Sequence, residues 1–243
     1  MILGAGGSDP PPGYAGPAIL VEDGGVRVLL DCGEGCMERL RRFGYSPCEI
    51  DAVYISHRHV DHWMGVFALS VARAAEGCRE LRIYAHREVA ESLEPLLRDT
   101  LPRSTVLRLD SVEEEFKLGE LTFRLAPVSH TTPTYAIGVY EGEELALVYT
   151  SDTRLTSNVI DSLKRLGKPK LLAGEATLPT GREDIANETG HMTVTQLLEL
   201  YEKLQAGQLV PIHLTPSSLR QLLAYRLMPR GILIPLDSLA VTL

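Results

Sequence analysis

The stretch SHRHVDH (residues 56–62) decides how this chain is read. It carries His57, His59 and His62, three of the seven histidines in the chain, together with Asp61. DAVYIS (51–56), an apolar run suited to a buried strand, feeds into it, and a helical pattern follows over 63–75. His57 and His59 stand two apart just past a strand end, so both imidazoles point to one side. Asp61 and His62 follow where the chain turns into the helix, so a second set of ligands aims at the same space. Imidazole and carboxylate together suit zinc and related borderline metals. A polar loop with three chance histidines is a poor account of such clustering.

Further along, His130 closes LTFRLAPVSH, Asp152 closes ALVYTSD, and His213 sits in QLVPIHL. Loops leaving strand ends are the usual place for catalytic groups on a rigid scaffold. A lone histidine after a strand is more often structural than a ligand, but beside the first motif these positions read as the rest of a metal site. His86 also ends a strand, in RIYAH, and is read as structural.

Outward from the motif, the pattern alternates. PAILVE and VRVLLDC read as strands joined by the turn residues Asp23, Gly24 and Gly25, and a helix is expected over 37–43. RIYAH is a strand and REVAESLEPLL a helix. The middle is β-rich, with TVLRL, EEFKL, LTFRLAPV, TYAIGVY and ALVYTSD as strands. Helices are expected over 156–166 and 193–204, with KLLAGEA a strand between them. QLVPIHL then reads as strand, SLRQLLAYRLM as helix and GILIPL as strand. Strands and helices interleave at both ends around a β-rich middle, which predicts an α/β chain of two facing sheets with helices outside, an αββα sandwich. No repeat or linker divides residues 1–243, so one domain is expected.

HxHxDH followed by a lone His, an Asp and a final His resembles the metallo-β-lactamase superfamily. Within it the chain is most similar to the ribonuclease Z family of tRNA 3′-endonucleases. LGAGGSDPP and LLDCGEGC resemble that family's opening loop and first turn; YTSDTR, GEAT, GHMT and IHLTP resemble its later motifs. The resemblance implies a four-layer metallo-β-lactamase sandwich holding two zinc ions, with manganese or iron as alternatives. One ion would be held by His57, His59 and His130, the other by Asp61, His62 and His213, with Asp152 bridging. Such a pair can share a hydroxide nucleophile. Asp61 would orient or deprotonate that water. His191, in GHMT, would stabilise the transition state or protonate the leaving oxygen, and Glu175, in GEAT, would orient its imidazole. A purely structural His191, beside a helix capped by Thr193, is the competing reading. A homodimer is implied by the resemblance as well.

The chain also departs from that family. Only residues 131–151 separate His130 from Asp152, where ribonuclease Z carries a long arm that grips tRNA. GYAG (13–16) stands where the opening loop normally closes on an Arg-Asn pair, and SSL (217–219) where an Arg-Tyr pair is usual. The net charge of −8 also argues against a broad phosphate-binding surface, leaving Arg41, Arg42 and Arg182 as candidate grips. The expected substrate is therefore a small phosphodiester or an RNA 3′ end. A carboxylic substrate (thioester, lactone or β-lactam) is the alternative, and a binding module without turnover is disfavoured because every ligand position is filled. No apolar run is long enough for a membrane span and no secretory pattern opens the chain, so a cytoplasmic protein is expected. Cys32, Cys36, Cys48 and Cys78 lack paired CxxC spacing and read as small buried thiols, with a Cys32–Cys36 bridge as an option.

Overall fold

A computed structural model describes residues 1–102, 107–224, 231–235 and 239–242. One sheet joins β1 (Ile2–Gly4), β2 (Ala18–Asp23), β3 (Val26–Leu30), β4 (Ala52–Tyr54), β5 (Leu81–His86) and β6 (Leu107–Val112), in sequence order. Its first three strands are antiparallel and the rest parallel. The second sheet joins β7 (Glu115–Leu118), β8 (Leu121–Pro127), β9 (Tyr135–Glu141), β10 (Glu144–Tyr149), β11 (Leu171–Glu175) and β12 (Gln208–Ile212). Its strands run antiparallel through β10, after which β10, β11 and β12 are parallel.

The alternation of each strand decides which layer its side chains enter. Val28, Leu30, Tyr54, Phe123, Ile137, Leu147, Tyr149 and Ile212 fill the space between the sheets. Phe116 stacks between Tyr84 and Phe123, with ring centroids 4.1 and 4.7 Å away. On the far face of the first sheet pack α1 (Cys36–Arg42), α2 (Gly65–Ala75) and α3 (Arg87–Thr100), through Leu40, Val66, Leu69, Leu93 and Leu97. Against the second sheet lie α4 (Ser157–Lys164), α6 (Val194–Leu204) and α7 (Pro216–Ala224), through Val159, Leu163, Leu197 and Leu222. The result is the four-layer αββα sandwich that the alternation predicts. Among the described residues no helix is long and apolar enough to cross a membrane.

Several local readings change. The helix expected over 63–75 begins at Gly65, because Val60–His62 form a separate 3-10 turn that places Asp61 and His62. GILIPL is no strand among the described residues: Ile232 makes an isolated bridge to Leu209. Pro235, without an N–H, cannot extend that pairing. Residues 225–228 of the expected last helix lie outside the described residues. β1 and the short helix α5 (Glu183–Thr189) escaped the sequence reading.

The cysteine reading is corrected for one pair. Cys48 and Cys78 form a disulfide with their Cα atoms 5.0 Å apart, while Cys32 and Cys36 are free and buried. Spacing conceals the pair, because the fold rather than the sequence brings the turn Pro47–Glu49 against the end of α2. Arg73, the one charged residue of α2, is buried there and donates to the carbonyls of Pro47, Ile50 and Arg79.

Candidate metal centre

The motif residues meet at the end of the sandwich where β3, β4, β8, β10, β11 and β12 finish. Three of these ends are reached through left-handed backbone at non-glycine residues: Asp31 (φ 55°), Ser151 (φ 53°) and His213 (φ 54°). Such conformations cost on the order of 1–3 kcal/mol each and persist only where surrounding contacts fix them. Here the sharp turns follow β3, β10 and β12 and bring Asp31, Asp152 and His213 toward the histidines of the motif.

Asp152 is the centre of the arrangement. Its Oδ2 lies 3.2 Å from His62 Nε2, 3.4 Å from His213 Nε2, 3.7 Å from His57 Nε2 and 3.8 Å from His130 Nε2. Ligand atoms of His57, His59, His130 and Asp152 all lie within 4.8 Å of one another; the same holds for Asp61, His62 and His213, and for Asp152, His191 and His213. Buried atoms His57 Nε2, His62 Nε2 and Asp152 Oδ1 have no hydrogen-bond partner. Polar atoms orphaned in this way are expensive unless something else satisfies them. Three of them on residues of one cluster of nitrogen and oxygen donors fit a cation.

The opposite edges of the imidazoles are occupied. His62 Nδ1 donates to Asp31 Oδ2 at 2.7 Å, and His130 Nδ1 donates to the carbonyl of Gly190 at 2.8 Å. His57 Nδ1 meets Ser56 Oγ at 3.0 Å, and His213 Nδ1 meets Thr177 Oγ1 at 2.9 Å. Each contact places the ring proton on Nδ1 and leaves Nε2 free to face the shared space. Gly190 has φ 82° and no room for a side chain, since a Cβ there would lie 2.6 Å from His130 Nδ1.

Burial disfavours charge on His57, His59 and His130, most of all on His57, so their pKa values fall and the rings are neutral, as metal binding requires. Burial opposes charge on His62 too, yet Asp152 and Asp31 override it and raise its pKa. Burial likewise pushes Asp152 upward, and His213 and His62 override it and hold the carboxyl ionised. A metal entering here would take over from the proton on His62. Asp61, lowered despite burial by His213 and His62, also accepts from Ser8 Oγ at 2.7 Å.

His191 and Glu175 form the wall. His191 Nδ1 donates to Oε1 of the fully buried Glu175 at 3.0 Å. Burial works against charge on this imidazole, but the charge and hydrogen bond of Glu175 outweigh it and lift the pKa to about 9. His86 stands apart: it caps α3, accepting from Glu88 N at 3.3 Å, and stacks on Tyr135. Of the candidate grips, Arg41 pairs with Glu76 at 3.6 Å and Arg182 is exposed just before α5.

A family model described as a β-lactamase superfamily domain matches residues 26–214. The chain belongs to the β-lactamase superfamily. Among superfamily members it is 30% identical over 277 residues to a Ribonuclease Z from Pyrobaculum calidifontis, covering 98% of this chain and 95% of that one. It spans 26% of the longer Ribonuclease Z 1 of Schizosaccharomyces pombe. The solved structure of the metallo-β-lactamase fold protein YhfI from Bacillus subtilis superposes with a TM-score of 0.77 at 25% identity, covering 89% of this chain and 86% of that one. A diphosphatase of the PhnP family superposes with a TM-score of 0.81 over 100% of this chain and 96% of that one, and at 20% identity it attests the fold alone. This superfamily member is thus a metallo-β-lactamase-fold hydrolase similar to ribonuclease Z, and its fold implies metal ions.

Sequence reasoning missed the residues that orient the candidate ligands. Asp31, Ser56, Ser151 and Tyr149 form one buried network: Ser151 Oγ donates to Ser56 Oγ at 2.6 Å, Ser56 Oγ to Asp31 at 2.7 Å, and Tyr149 OH to Asp31. The signal was an acid in LLDCGEG, directly after an apolar strand that should have no use for one.

Proposed function

We propose that this chain is a binuclear metal-dependent phosphodiesterase acting on small phosphodiesters or RNA 3′ ends. His57, His59 and His130 would hold one ion, Asp61, His62 and His213 the other, with Asp152 between them. The donor set suits zinc, and manganese or iron also fit. Bound cations would bring the pKa of a shared water toward about 7 and offset charge growing on a phosphoryl oxygen.

The chain's own groups do the rest. Asp61, kept ionised and fixed by Ser8, can orient the attacking water. Glu175 keeps His191 charged at neutral pH with Nε2–H free, so that His191 can donate to the leaving oxygen, a role typically worth roughly 10²–10⁴-fold in rate. The observation that carries this reading is the Glu175–His191 pair, joined at 3.0 Å and standing beside Asp152 and His213 of the ligand cluster. Hydrolysis of a thioester, whose thiolate leaves readily, has less need of such an acid.

The test compares a chromogenic aryl phosphodiester with a lactone on one zinc-loaded sample. Turnover of the diester supports the reading. Turnover confined to the lactone overturns it in favour of a carboxylic substrate.

A further inference from the structure

We propose that Thr177 is a positioning residue that couples the Glu175–His191 pair to His213, an inference that rests on the binuclear reading above. Its hydroxyl sits at a junction. Thr177 Oγ1 lies 2.7 Å from Glu175 Oε2, 2.9 Å from His213 Nδ1 and 3.2 Å from His191 Nδ1.

A hydroxyl has one proton and two lone pairs, so the junction has one consistent wiring. Both carboxylate oxygens of Glu175 accept in the contacts that they make. Its Oε1 takes Thr153 N and His191 Nδ1, both at 3.0 Å, and its Oε2 takes Thr177 N at 3.1 Å. The Thr177 proton therefore goes to Oε2, which completes four donors around a fully buried carboxylate. The hydroxyl lone pairs then face His213, whose Nδ1 must carry the proton that they accept. His213 Nε2 is left as the free donor, 3.3 Å from Asp61 Oδ2 and 3.4 Å from Asp152 Oδ2.

Thr177 is held rigidly enough to do this. Ala176 N donates to Ile212 O at 2.9 Å, Thr215 Oγ1 donates to Thr177 O at 2.8 Å, and Leu178 bridges to Thr193. The segment is thus tied on one side to the strand bearing His213 and on the other to the helix that follows His191. His213 itself lies at left-handed backbone, so the contact on Nδ1 fixes the ring. Its counterparts His57, His62 and His130 lean on Ser56, Asp31 and the Gly190 carbonyl; among the described residues, Thr177 is the side chain that touches both a candidate ligand and the proposed acid.

The test compares Thr177→Val, which keeps the shape and removes the hydroxyl, with Thr177→Ser, which keeps the hydroxyl. Zinc per chain is counted after saturation and desalting, and zinc affinity is measured by competition with a chelator. Thr177→Val should lose about 10–100-fold in affinity at one of two sites, as loss of such a support typically does. Thr177→Ser should restore it. In the ¹⁵N spectrum of the zinc-loaded protein, the His213 Nδ1–H signal should shift in the valine variant and return in the serine variant. Equal affinity in wild type and valine variant overturns the proposal, as does an equal loss in both variants, which would mark a steric role. If the valine variant does not fold, Thr177→Ala carries the same expectation. Wild-type protein that binds two ions but leaves phosphodiesters intact would defeat the functional reading alone, since the Thr177 test is read in bound zinc.

Discussion

Asp31 and His62, 31 residues apart in sequence, are joined in the core: Nδ1 of His62 donates to Oδ2 of Asp31 at 2.7 Å with both side chains fully buried. The same carboxylate accepts from Ser56 N at 2.8 Å, from Ser56 Oγ and from Tyr149 OH. Asp31 therefore aims His62 directly and His57 through Ser56. In Asp31→Asn an amide would face donors that need acceptors, leaving buried groups unpaired at about 1–3 kcal/mol each. We expect the variant to be less stable and to bind zinc about 10–100-fold more weakly. Thermal melts with and without zinc, together with chelator competition, would check both effects. Unchanged affinity would remove Asp31 from the support of the ligands.

Asp152 occupies a different position, within 3.2–3.8 Å of four imidazole nitrogens. Asp152→Asn removes the charge that faces His62 and the shared carboxylate oxygen beside the other three rings, and His59→Ala opens the group of His57, His59 and His130. Wild-type protein should hold up to two zinc ions per chain by elemental analysis. Each variant should hold fewer and lose phosphodiesterase activity. A folded wild-type protein with no metal after saturation and desalting would sink the assignment.

His191 should separate from these ligands. His191→Ala is expected to keep its metal and lose roughly 10²-fold or more in kcat. Its folded pKa of about 9 lies above the unfolded value of 6.5, so the protonated form is favoured by folding. In metal-free protein that contribution is fully present below about pH 6.5 and is lost as pH rises through about 9. Denaturant melts of wild type against His191→Gln should differ at low pH and converge above it. In the loaded enzyme kcat should fall on the alkaline side as the acid loses its proton. Glu175→Gln should move that fall to lower pH, and an unmoved alkaline limb would sever the pair.

Much of this was legible because period and spacing are local properties. SHRHVDH announces itself, and the alternation of LTFRLAPV or the apolar LLAG within KLLAGEA marks each as a strand. What stayed hidden is set by tertiary geometry. Nothing in the sequence marks Asp31, Ser151 or His213 as left-handed, because each is driven there by the contacts that it makes. Thr177 and Ser8 are ordinary polar residues until the fold brings them to His213 and Asp61. Cys48 and Cys78 were missed for the same reason.

The disulfide closes a segment with a sequence separation of 30 that contains β4, all of SHRHVDH and α2. Restricting such a loop in the unfolded chain is worth roughly 3–4 kcal/mol in the chain-entropy account. Cys48→Ser/Cys78→Ser should therefore melt several degrees lower, as should wild type in a dithiol reductant. Arg73 still ties the Pro47–Glu49 turn to α2 through three carbonyls, so the metal site itself should survive. Loss of bound zinc in the double variant would show that the covalent tie, rather than Arg73, keeps the ligand segment in register.

The substrate prediction follows from what surrounds the site. β9 and β10 are joined by a tight turn at Gly142 and Glu143, with φ 60° at Gly142, so no arm emerges between His130 and Asp152. The Arg-Asn and Arg-Tyr pairs are replaced, the net charge is −8, and Arg41 is engaged by Glu76. What remains is the ligand cluster with His191 and Glu175, which suffices for an activated diester but offers little to hold a folded RNA. We expect the zinc-loaded protein to hydrolyse a small aryl phosphodiester and to cleave precursor tRNA far more weakly than an arm-bearing relative. RNA binding should weaken gently with salt, with a log–log slope of about −2 or shallower, because few phosphates are neutralised. Arg182 and Arg42 are the residues to replace if the slope proves steep. Efficient 3′ processing of precursor tRNA at physiological salt by the purified protein would mean that this core grips RNA without an arm, and that the small-diester preference is wrong.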